Sequence, residues 1–138
     1  MISLLLFAGL VSAGHGLNFK VEVWTSDADS AGTNGDIYLS LVGTRGESDE
    51  IKLDKPFRDD LERNSRDDFY IRDVAGLGTL KCVHLRTTSD DSWRPERIIA
   101  TDEGSGEQWI FNNTLGTLMS IDQNDGRLER MSLCEKDN

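Results

Sequence analysis

The feature that most constrains the fold is a series of short segments in which apolar and polar side chains alternate. In NFKVEVWT, which starts at residue 18, Phe19, Val21 and Val23 fall on one face, and DIYLSLVG from residue 36 repeats the pattern. A period of two places successive residues on opposite faces of a β-strand, so one face can be buried while the other contacts water. The two segments therefore predict half-buried strands.

Five further segments have the same character, and clusters of Gly, Asp, Asn and Ser separate them. They are EIKLDKPF, DDFYIRDV, TLKCVHLRT, ERIIAT and EQWIFN. No window sustains a helical repeat for more than about two turns, although FRDDLERNS could form one turn with Phe57 and Leu61 on the same side. Short strands at this spacing are typical of two packed antiparallel sheets. The sequence predicts an all-β sandwich, and 138 residues are the length of one domain.

The first residues of the chain predict a secretory signal peptide. Residues 2–11 form an apolar run that is too short to span a bilayer, and Val11-Ser12-Ala13 offers small residues for cleavage. Because the segment before this run has no Lys or Arg, a buried first strand is the alternative. We expect the signal peptide to cover residues 1–13, or 1–16 at most. No later segment is long and apolar enough to predict a transmembrane helix.

Secretion would also give a meaning to the cysteines and to one asparagine. A secreted chain passes through an oxidising compartment, where cysteines can pair. Cys82 and Cys134 are the two cysteines of the chain, so a disulfide between them is one interpretation and two free thiols is the other. Asn112-Asn113-Thr114 matches the acceptor sequence for N-linked glycosylation, which makes Asn112 a candidate acceptor.

The chain is acidic, with 25 Asp and Glu against 15 Lys and Arg and a formal net charge of −10. Such a charge argues against a nucleic-acid partner, because phosphate binding requires clustered basic residues. It also disfavours direct adsorption to anionic lipid, unless a divalent cation bridges the two surfaces.

Oxygen-bearing side chains gather in three of the predicted loops, where a scaffold of this kind usually carries function. They are Asp27, Asp29, Asn34 and Asp36 around Gly32 and Gly35 in the first loop, Asp59, Asp60 and Glu62 in the second, and Asp90 and Asp91 in the third. Ca²⁺ takes about six to eight oxygen ligands in flexible geometry, and the glycines would let backbone carbonyls turn inward. The alternative is that these are solvated turn residues.

Catalytic motifs are missing from the sequence. It contains no GxSxG, HExxH, CxxC or phosphate-binding loop. His84 lies on a predicted strand, and spacing assigns no Ser or Cys to it as a partner. We therefore expect a protein that is not an enzyme.

The segment from residue 18 to residue 112 resembles a PLAT domain, the β-sandwich module of lipoxygenases, bacterial alpha-toxins, pancreatic lipases and polycystins. Four pieces carry the resemblance: AGT with IYLSLVG, KLDKPF followed by LER, DDF with LGTLKCVHLR, and Trp93 followed by TDEGSGEQWIF. The resemblance implies two four-stranded antiparallel sheets in a domain of residues 17–116. Residues 117–138 would then form a tail or an extra hairpin.

The resemblance also implies a metal site and a function in attachment, since such domains bring enzymes or receptors to membranes, lipids or protein partners, often with Ca²⁺. The family's metal positions fall on the carbonyl of Gly32 and on Asn34, Asp59, Asp60, Glu62 and Asp91. With Asp36 and Asp90 added for their oxygens, these residues form the predicted site. Asn34 stands where the family usually has Asp, and the first loop has Asp29-Ser30 where membrane-inserting relatives have aromatic residues.

From these observations we expect a secreted, non-catalytic module that Ca²⁺ helps to attach to lipid headgroups, a membrane surface or a protein partner. The alternative is a metal-independent interaction domain whose acidic surface recognises a basic protein. The two hypotheses differ in whether removal of Ca²⁺ abolishes binding.

Overall fold

Eight β-strands and one 3₁₀ turn form the regular structure of residues 16–54 and 60–135, which are the residues that the computed structural model describes. The strands are β1 (Leu17–Thr25), β2 (Ile37–Gly43), β3 (Ile51–Lys52), β4 (Arg66–Val74), β5 (Leu80–Thr87), β6 (Pro95–Asp102), β7 (Gln108–Asn112) and β8 (Arg130–Cys134), and the turn is Asn124–Gly126. Within these ranges, no helix has the length and apolarity needed to cross a membrane. The predicted signal peptide, residues 1–13, lies outside the described residues.

The strands form two antiparallel sheets of four strands each. Sheet A has the order β4-β1-β6-β7, and sheet B has the order β3-β2-β5-β8. The structure therefore confirms the predicted all-β sandwich with two four-stranded sheets.

The core lies between the inner faces of the two sheets, as the alternating sequence pattern predicts. In sheet A, Phe19, Val21 and Val23 of β1 are at most 2% exposed, and in sheet B, Leu39 and Leu41 of β2 are fully buried. Burial of one such side chain stabilises the fold by about 1.5–3 kcal/mol. The two packed faces thus provide a rigid body from which the loops project.

The segment between β2 and β4 differs from its sequence-based description. Among the described residues of EIKLDKPF, the strand is limited to Ile51–Lys52, and residues 55–59 lie outside the described residues. Leu61 is buried in the core with a φ of 59°. This left-handed backbone is not that of a right-handed helical turn, and the first residues of the possible turn, 57–59, lie outside the described residues.

The C-terminal part of the chain adds β8 to the edge of sheet B. Cys82 of β5 and Cys134 of β8 are direct partners in the strand register, and their sulfurs form a disulfide. This confirms the disulfide interpretation over two free thiols. Residues after 117 thus contribute a strand that is covalently joined to the sandwich.

One end of the sandwich gathers the loops that follow β1, precede β4 and follow β5. We call residues 26–36, 60–65 and 88–94 the loop pole. Trp93 anchors this end, because its side chain is fully buried and its indole N–H donates a hydrogen bond to Thr25 Oγ1 at 3.0 Å. Its backbone also exchanges hydrogen bonds with Met119 at 3.0 and 2.7 Å.

Candidate functional site

The first and second loops of the pole pack backbone to backbone at Gly32. The Thr33 N–H donates a hydrogen bond to the Leu61 carbonyl at 3.0 Å. A Cβ added to Gly32 would lie 2.6 Å from the backbone nitrogen of Arg63. Any larger residue would push the two loops apart. Neither Gly32 nor Gly35 has a positive φ, so Gly32 is required for close approach rather than for an unusual backbone conformation.

The first and third loops of the pole are joined through Asp91. Its carboxylate accepts a hydrogen bond from the Asn34 N–H at 2.7 Å, and its carbonyl accepts one from Thr33 Oγ1 at 2.7 Å. A Cβ on Gly35 would lie 2.3 Å from the Cβ of Ser89. The three loops that the sequence separates by tens of residues therefore converge on residues 32–35.

The second loop is shaped by Asp67, a buried acid that the sequence analysis missed. Asp67 is 3% exposed, and its Oδ2 accepts hydrogen bonds from the Leu61 N–H at 3.0 Å and from Ser65 Oγ at 3.3 Å. Charge-assisted bonds of this kind are stronger than neutral ones. The signal was present in the strand pattern, because Asp67 shares the inward face of β4 with Phe69 and Ile71.

Two polar cavities flank Asn34 at the pole. The first has a volume of about 240 Å³ and the second about 280 Å³, and Thr33 and Asn34 line both. The described acids of these cavities are Asp36, Asp54 and Asp60 in the first, and Glu62 and Asp91 in the second. The pole thus brings acids from separate loops around one shared asparagine.

The predicted metal residues are distributed unevenly over this arrangement. The cavities include Gly32, Asn34, Asp36, Asp60, Glu62 and Asp91. Asp90 lines neither cavity, and its carbonyl accepts a hydrogen bond from Ser120 Oγ at 3.3 Å. Asp59 lies outside the described residues.

Two basic side chains, Arg63 of the pole and Lys52 of β3, neutralise part of the charge of the pole. Arg63 Nε–H donates to the Asp27 carbonyl at 2.9 Å, and the Arg63 guanidinium lies 3.3 Å from carboxylate oxygens of Asp27 and Asp29. Lys52 Nζ lies 3.2 Å from Asp36 Oδ1, and this hydrogen bond raises the pKa of Lys52. Asp36 therefore has a cation beside it within the protein.

The donor set fits a hard cation only if backbone and amide oxygens take part. In residues 16–54 and 60–135, no three His, Cys, Asp or Glu side chains are grouped so that they could hold a metal ion. Ca²⁺ accepts carbonyl, amide and water oxygens as readily as carboxylates. The Gly32 carbonyl and the Asn34 side chain are oxygens of that kind beside Asp60, Glu62 and Asp91.

Outside the pole, a Ser-Glu-His cluster lies on the outer face of sheet B, but its order differs from that of a nucleophilic triad. Ser40 Oγ donates to Glu47 Oε2 at 2.5 Å, and His84 Nδ1 lies 3.0 Å from the same oxygen. In a triad the imidazole lies between the hydroxyl and the carboxylate, where it can take the hydroxyl proton. Here the carboxylate lies between them, so His84 does not activate Ser40.

A β-sandwich that presents the loops of one end as a polar surface defines a class of binding module, and comparison with known proteins identifies the family. The model of the PLAT/LH2 domain matches residues 19–118. The chain belongs to this family, which confirms the resemblance drawn from its sequence.

Individual relatives are much longer proteins. The chain is 28% identical over 119 residues to human Lipoxygenase homology domain-containing protein 1, an alignment that covers 84% of this chain and 6% of that protein. It is 31% identical over 108 residues to the Allene oxide synthase-lipoxygenase protein of Plexaura homomalla, covering 74% of this chain and 10% of that protein. The chain therefore spans a small fraction of the relatives that it matches.

Among solved structures, the sandwich is similar to coral 8R-lipoxygenase, with a TM-score of 0.72 and 23% identity over 87% of this chain and 17% of that chain. The crystal structure of that enzyme is described as showing calcium activation through a C2-like domain. The likeness shows a shared fold.

Proposed function

We propose that the chain is a secreted, non-catalytic binding module in which Ca²⁺ at the loop pole attaches the sandwich to an anionic lipid surface or to a protein partner. The observation that carries this proposal is the convergence of three loops on Asn34, which lines two acidic cavities at once. The calcium activation described for coral 8R-lipoxygenase, whose C2-like domain has this fold, supports the choice of ion.

Electrostatics supply the physical reason for a cation at this place. Asp60 lines the cavity on one side of Asn34, and Glu62 and Asp91 line the cavity on the other side. Two like charges about 4 Å apart repel by about 1 kcal/mol in water and by more where the site is partly desolvated. A bound Ca²⁺ would offset that repulsion. It would also leave coordination positions for phosphate or carboxylate oxygens of a partner.

The residues that would hold the ion are proposed from their oxygens. They are the Gly32 carbonyl and the side chains of Asn34, Asp59, Asp60, Glu62 and Asp91. Asp36 is not proposed, because Lys52 already pairs with it. Asp90 is not proposed either, since it lines neither cavity.

Calcium titration of the full chain tests this site directly. We expect heat of binding in calorimetry and a higher Tm, because Ca²⁺ at one hundred times its Kd stabilises the folded state by about 2.7 kcal/mol. Asp60→Asn should weaken Ca²⁺ binding. Glu103→Gln is the matched control, because Glu103 pairs with Arg72 and lines neither cavity of the pole. Absence of both heat and thermal shift up to millimolar Ca²⁺ would contradict the proposal.

We expect the protein to attach to a membrane surface by electrostatic attraction, without insertion of the loops into the lipid. The tip of the first loop is Asp29-Ser30, and the Asp29 side chain is 96% exposed. A charged tip cannot enter the hydrocarbon region at low cost. Vesicles containing phosphatidylserine should therefore sediment the protein only in Ca²⁺, and both EDTA and high salt should release it.

A second candidate function, metal-independent recognition of a basic protein, is favoured by one observation. The described acids do not form a three-residue metal group, yet acids outnumber bases among the described residues that line the cavities. This candidate predicts that an oligolysine probe binds in EDTA and that salt weakens the binding. If Ca²⁺ displaces bound oligolysine, the cation and the basic partner would share one site.

The remaining parts of the proposal rest on other regions of the molecule. The disulfide between Cys82 and Cys134 supports passage through an oxidising compartment, in agreement with the apolar leader of residues 2–11. The order of the Ser40, Glu47 and His84 contacts supports a non-catalytic role. Expression of the full chain in cultured animal cells, followed by detection in the medium or in the cytosol, tests the proposed location.

A further inference from the structure

We propose that Asn112 carries an N-linked glycan and that this glycan closes the free edge of sheet A. The proposal rests on the proposed secretion of the chain, because the modification is made in the secretory pathway. It assigns a modification to one residue and a structural role to the sugar.

Asn112 is presented as an acceptor should be. It is the last residue of β7, its side chain is exposed, and a turn follows at residues 114–115. No hydrogen bond between described residues uses its side-chain amide. Asn113 is different, because its Nδ2 donates to the carbonyls of Pro95 at 2.8 Å and Thr117 at 3.0 Å. The side chain of Asn113 is thus held by hydrogen bonds, whereas the side chain of Asn112 is accessible.

Among the described residues, no strand pairs with the outer edge of β7, and every second residue of β7 faces that edge. β7 ends the order of sheet A, and its pairing with β6 is flanked by bonds from Asp102 N–H to the Glu107 carbonyl and from Asn113 N–H to the Glu96 carbonyl. In an antiparallel pair every second residue bonds to the neighbouring strand. The N–H and C=O groups of Gln108, Ile110 and Asn112 therefore point away from β6.

β7 itself carries none of the charged side chains that usually protect an exposed strand, although Arg97 lies opposite Asn112 in the register and Arg130 lines a cavity with it. The outward side chains of β7 are Gln108, Ile110 and Asn112, and Ile110 is 45% exposed. At the opposite edge of the same sheet, β4 presents Arg66, Asp68 and Arg72. An unprotected edge with an apolar residue is a template for pairing with a second chain. The strand at one edge of sheet A thus carries charged side chains of its own, and the strand at the other edge does not.

A glycan on Asn112 would supply the missing protection. Asn112 and Ile110 lie two residues apart on one strand, so their side chains leave the same face about 7 Å from each other. The first sugars would lie over Ile110 and beside the partly buried Ile99, which pairs with Ile110 in the register. The volume of the glycan would prevent another strand from approaching this edge.

The test uses the full chain secreted by cultured animal cells. Intact mass before and after treatment with a peptide N-glycosidase measures the glycan, and size-exclusion chromatography with light scattering measures association. We expect wild type to lose mass on treatment and to be monomeric. Thr114→Ala should be unmodified and should associate as its concentration rises, whereas Thr114→Ser, the matched control that keeps the acceptor sequence, should behave as wild type.

A second variant separates edge pairing from misfolding. Thr114→Ala combined with Ile110→Lys should be unmodified and monomeric, because a charge on the edge replaces the protection by the glycan.

Three outcomes would contradict the inference. Secreted wild type with an unmodified Asn112 would show that no glycan is attached. An unmodified Thr114→Ala that stays monomeric at every concentration would show that the glycan does not protect the edge. A chain retained in the cytosol would overturn both this inference and secretion. Calcium titration of Thr114→Ala tests the pole separately, since Asn112 lines neither of its cavities.

Discussion

The loop pole and the outer face of sheet B use the same acidic side chains in different ways. On sheet B, Glu50 accepts hydrogen bonds from Arg86 at 3.0 and 2.8 Å, and Glu47 is bonded by Ser40 and His84. At the pole, the carboxylates of Asp91 and Asp67 accept backbone N–H groups of neighbouring loops instead. Side chains bind the two acids of the sheet, whereas Asp91 and Asp67 bind backbone N–H groups and so fix the shape of the loops at the pole.

Two carboxyl groups on sheet B have pKa values below the ordinary value for Glu. The hydrogen bond from Arg86 lowers the pKa of Glu50, and the hydrogen bond from Ser40, with a further contribution from His84, lowers the pKa of Glu47. These acids are stabilised in their charged form by fixed partners. Arg86 and His84 already lie beside these two acids, whereas the described residues that line the cavities of the pole include five acids and one arginine. The pole is therefore the better candidate for binding a cation.

Loss of the disulfide should have the largest effect of the changes that test this comparison. The bond between Cys82 and Cys134 closes a sequence separation of 52 residues, and chain-entropy arguments give it about 4 kcal/mol. Cys82→Ser with Cys134→Ser should lower the free energy of unfolding by about that amount in urea denaturation. The Ca²⁺ response of the folded variant should be unchanged. A folded variant that no longer responds to Ca²⁺ would show that the two regions are coupled.

Removal of the buried carboxylate of Asp67 should affect the pole itself. Asp67→Ala leaves the Leu61 N–H buried without this acceptor, which costs about 1–3 kcal/mol. Because the second loop carries Asp60 and Glu62, Ca²⁺ binding should weaken as well. Asp68→Ala is the matched control, since Asp68 faces outward beside Lys20. Equal Ca²⁺ affinities for the two variants in calorimetry would contradict the role given to Asp67.

Removal of Arg63 should make the loop pole more negative and so increase its difference from the outer face of sheet B. Arg63→Ala frees the carboxylates of Asp27 and Asp29 from a cation within 3.3 Å. The proposed Ca²⁺ affinity should rise by about two- to fivefold at low salt, and the gain should shrink as ionic strength rises. Arg72→Ala, which removes an arginine paired with Glu103, should leave the affinity unchanged. A fall in affinity would mean that Arg63 helps to form the site.

Neutralisation of Glu50 should give the smallest effect, because the pair is partly exposed and solvent screens it. The folded-state pKa of Glu50 lies below its ordinary value of 4.5, so the pair with Arg86 stabilises the fold above that pH and ceases to do so as the pH falls through the lowered pKa. Glu50→Gln should cost about 0.5 kcal/mol at pH 7 and nothing in strong acid. Urea denaturation of both proteins across this pH range measures the difference. A cost that grows toward acid pH would contradict the assignment.

Much of the fold could be predicted from the sequence, because it depends on local alternation. The inward positions of β1 and β2, such as Val21 and Leu39, follow from a period of two and are buried as expected. The gathering of acids in loops was also visible in the sequence. β3 was predicted too long because the segment from Ile51 keeps an alternating pattern after its pairing with β2 has ended.

The parts that could not be predicted depend on contacts between distant segments. Gly32 and Gly35 were visible, but their closeness to Arg63 and Ser89 exists only once three loops have been brought together. The pairing of Glu50 with Arg86 has the same origin, since strand order decides which charges meet. Asp67 is an intermediate case, because an acid on the apolar face of a strand is a local signal of a buried partner that the sequence does not name.

The covalent bond between β5 and β8 has a further consequence for how copies of this protein can interact. A terminal edge strand is the element that two identical chains most easily exchange, each inserting its own strand into the other's sheet. Cys134 is bound to Cys82 of its own chain, so β8 cannot leave its sheet while the bond is intact. A folded molecule with this bond could therefore exchange the strand with another copy only after the bond has been reduced.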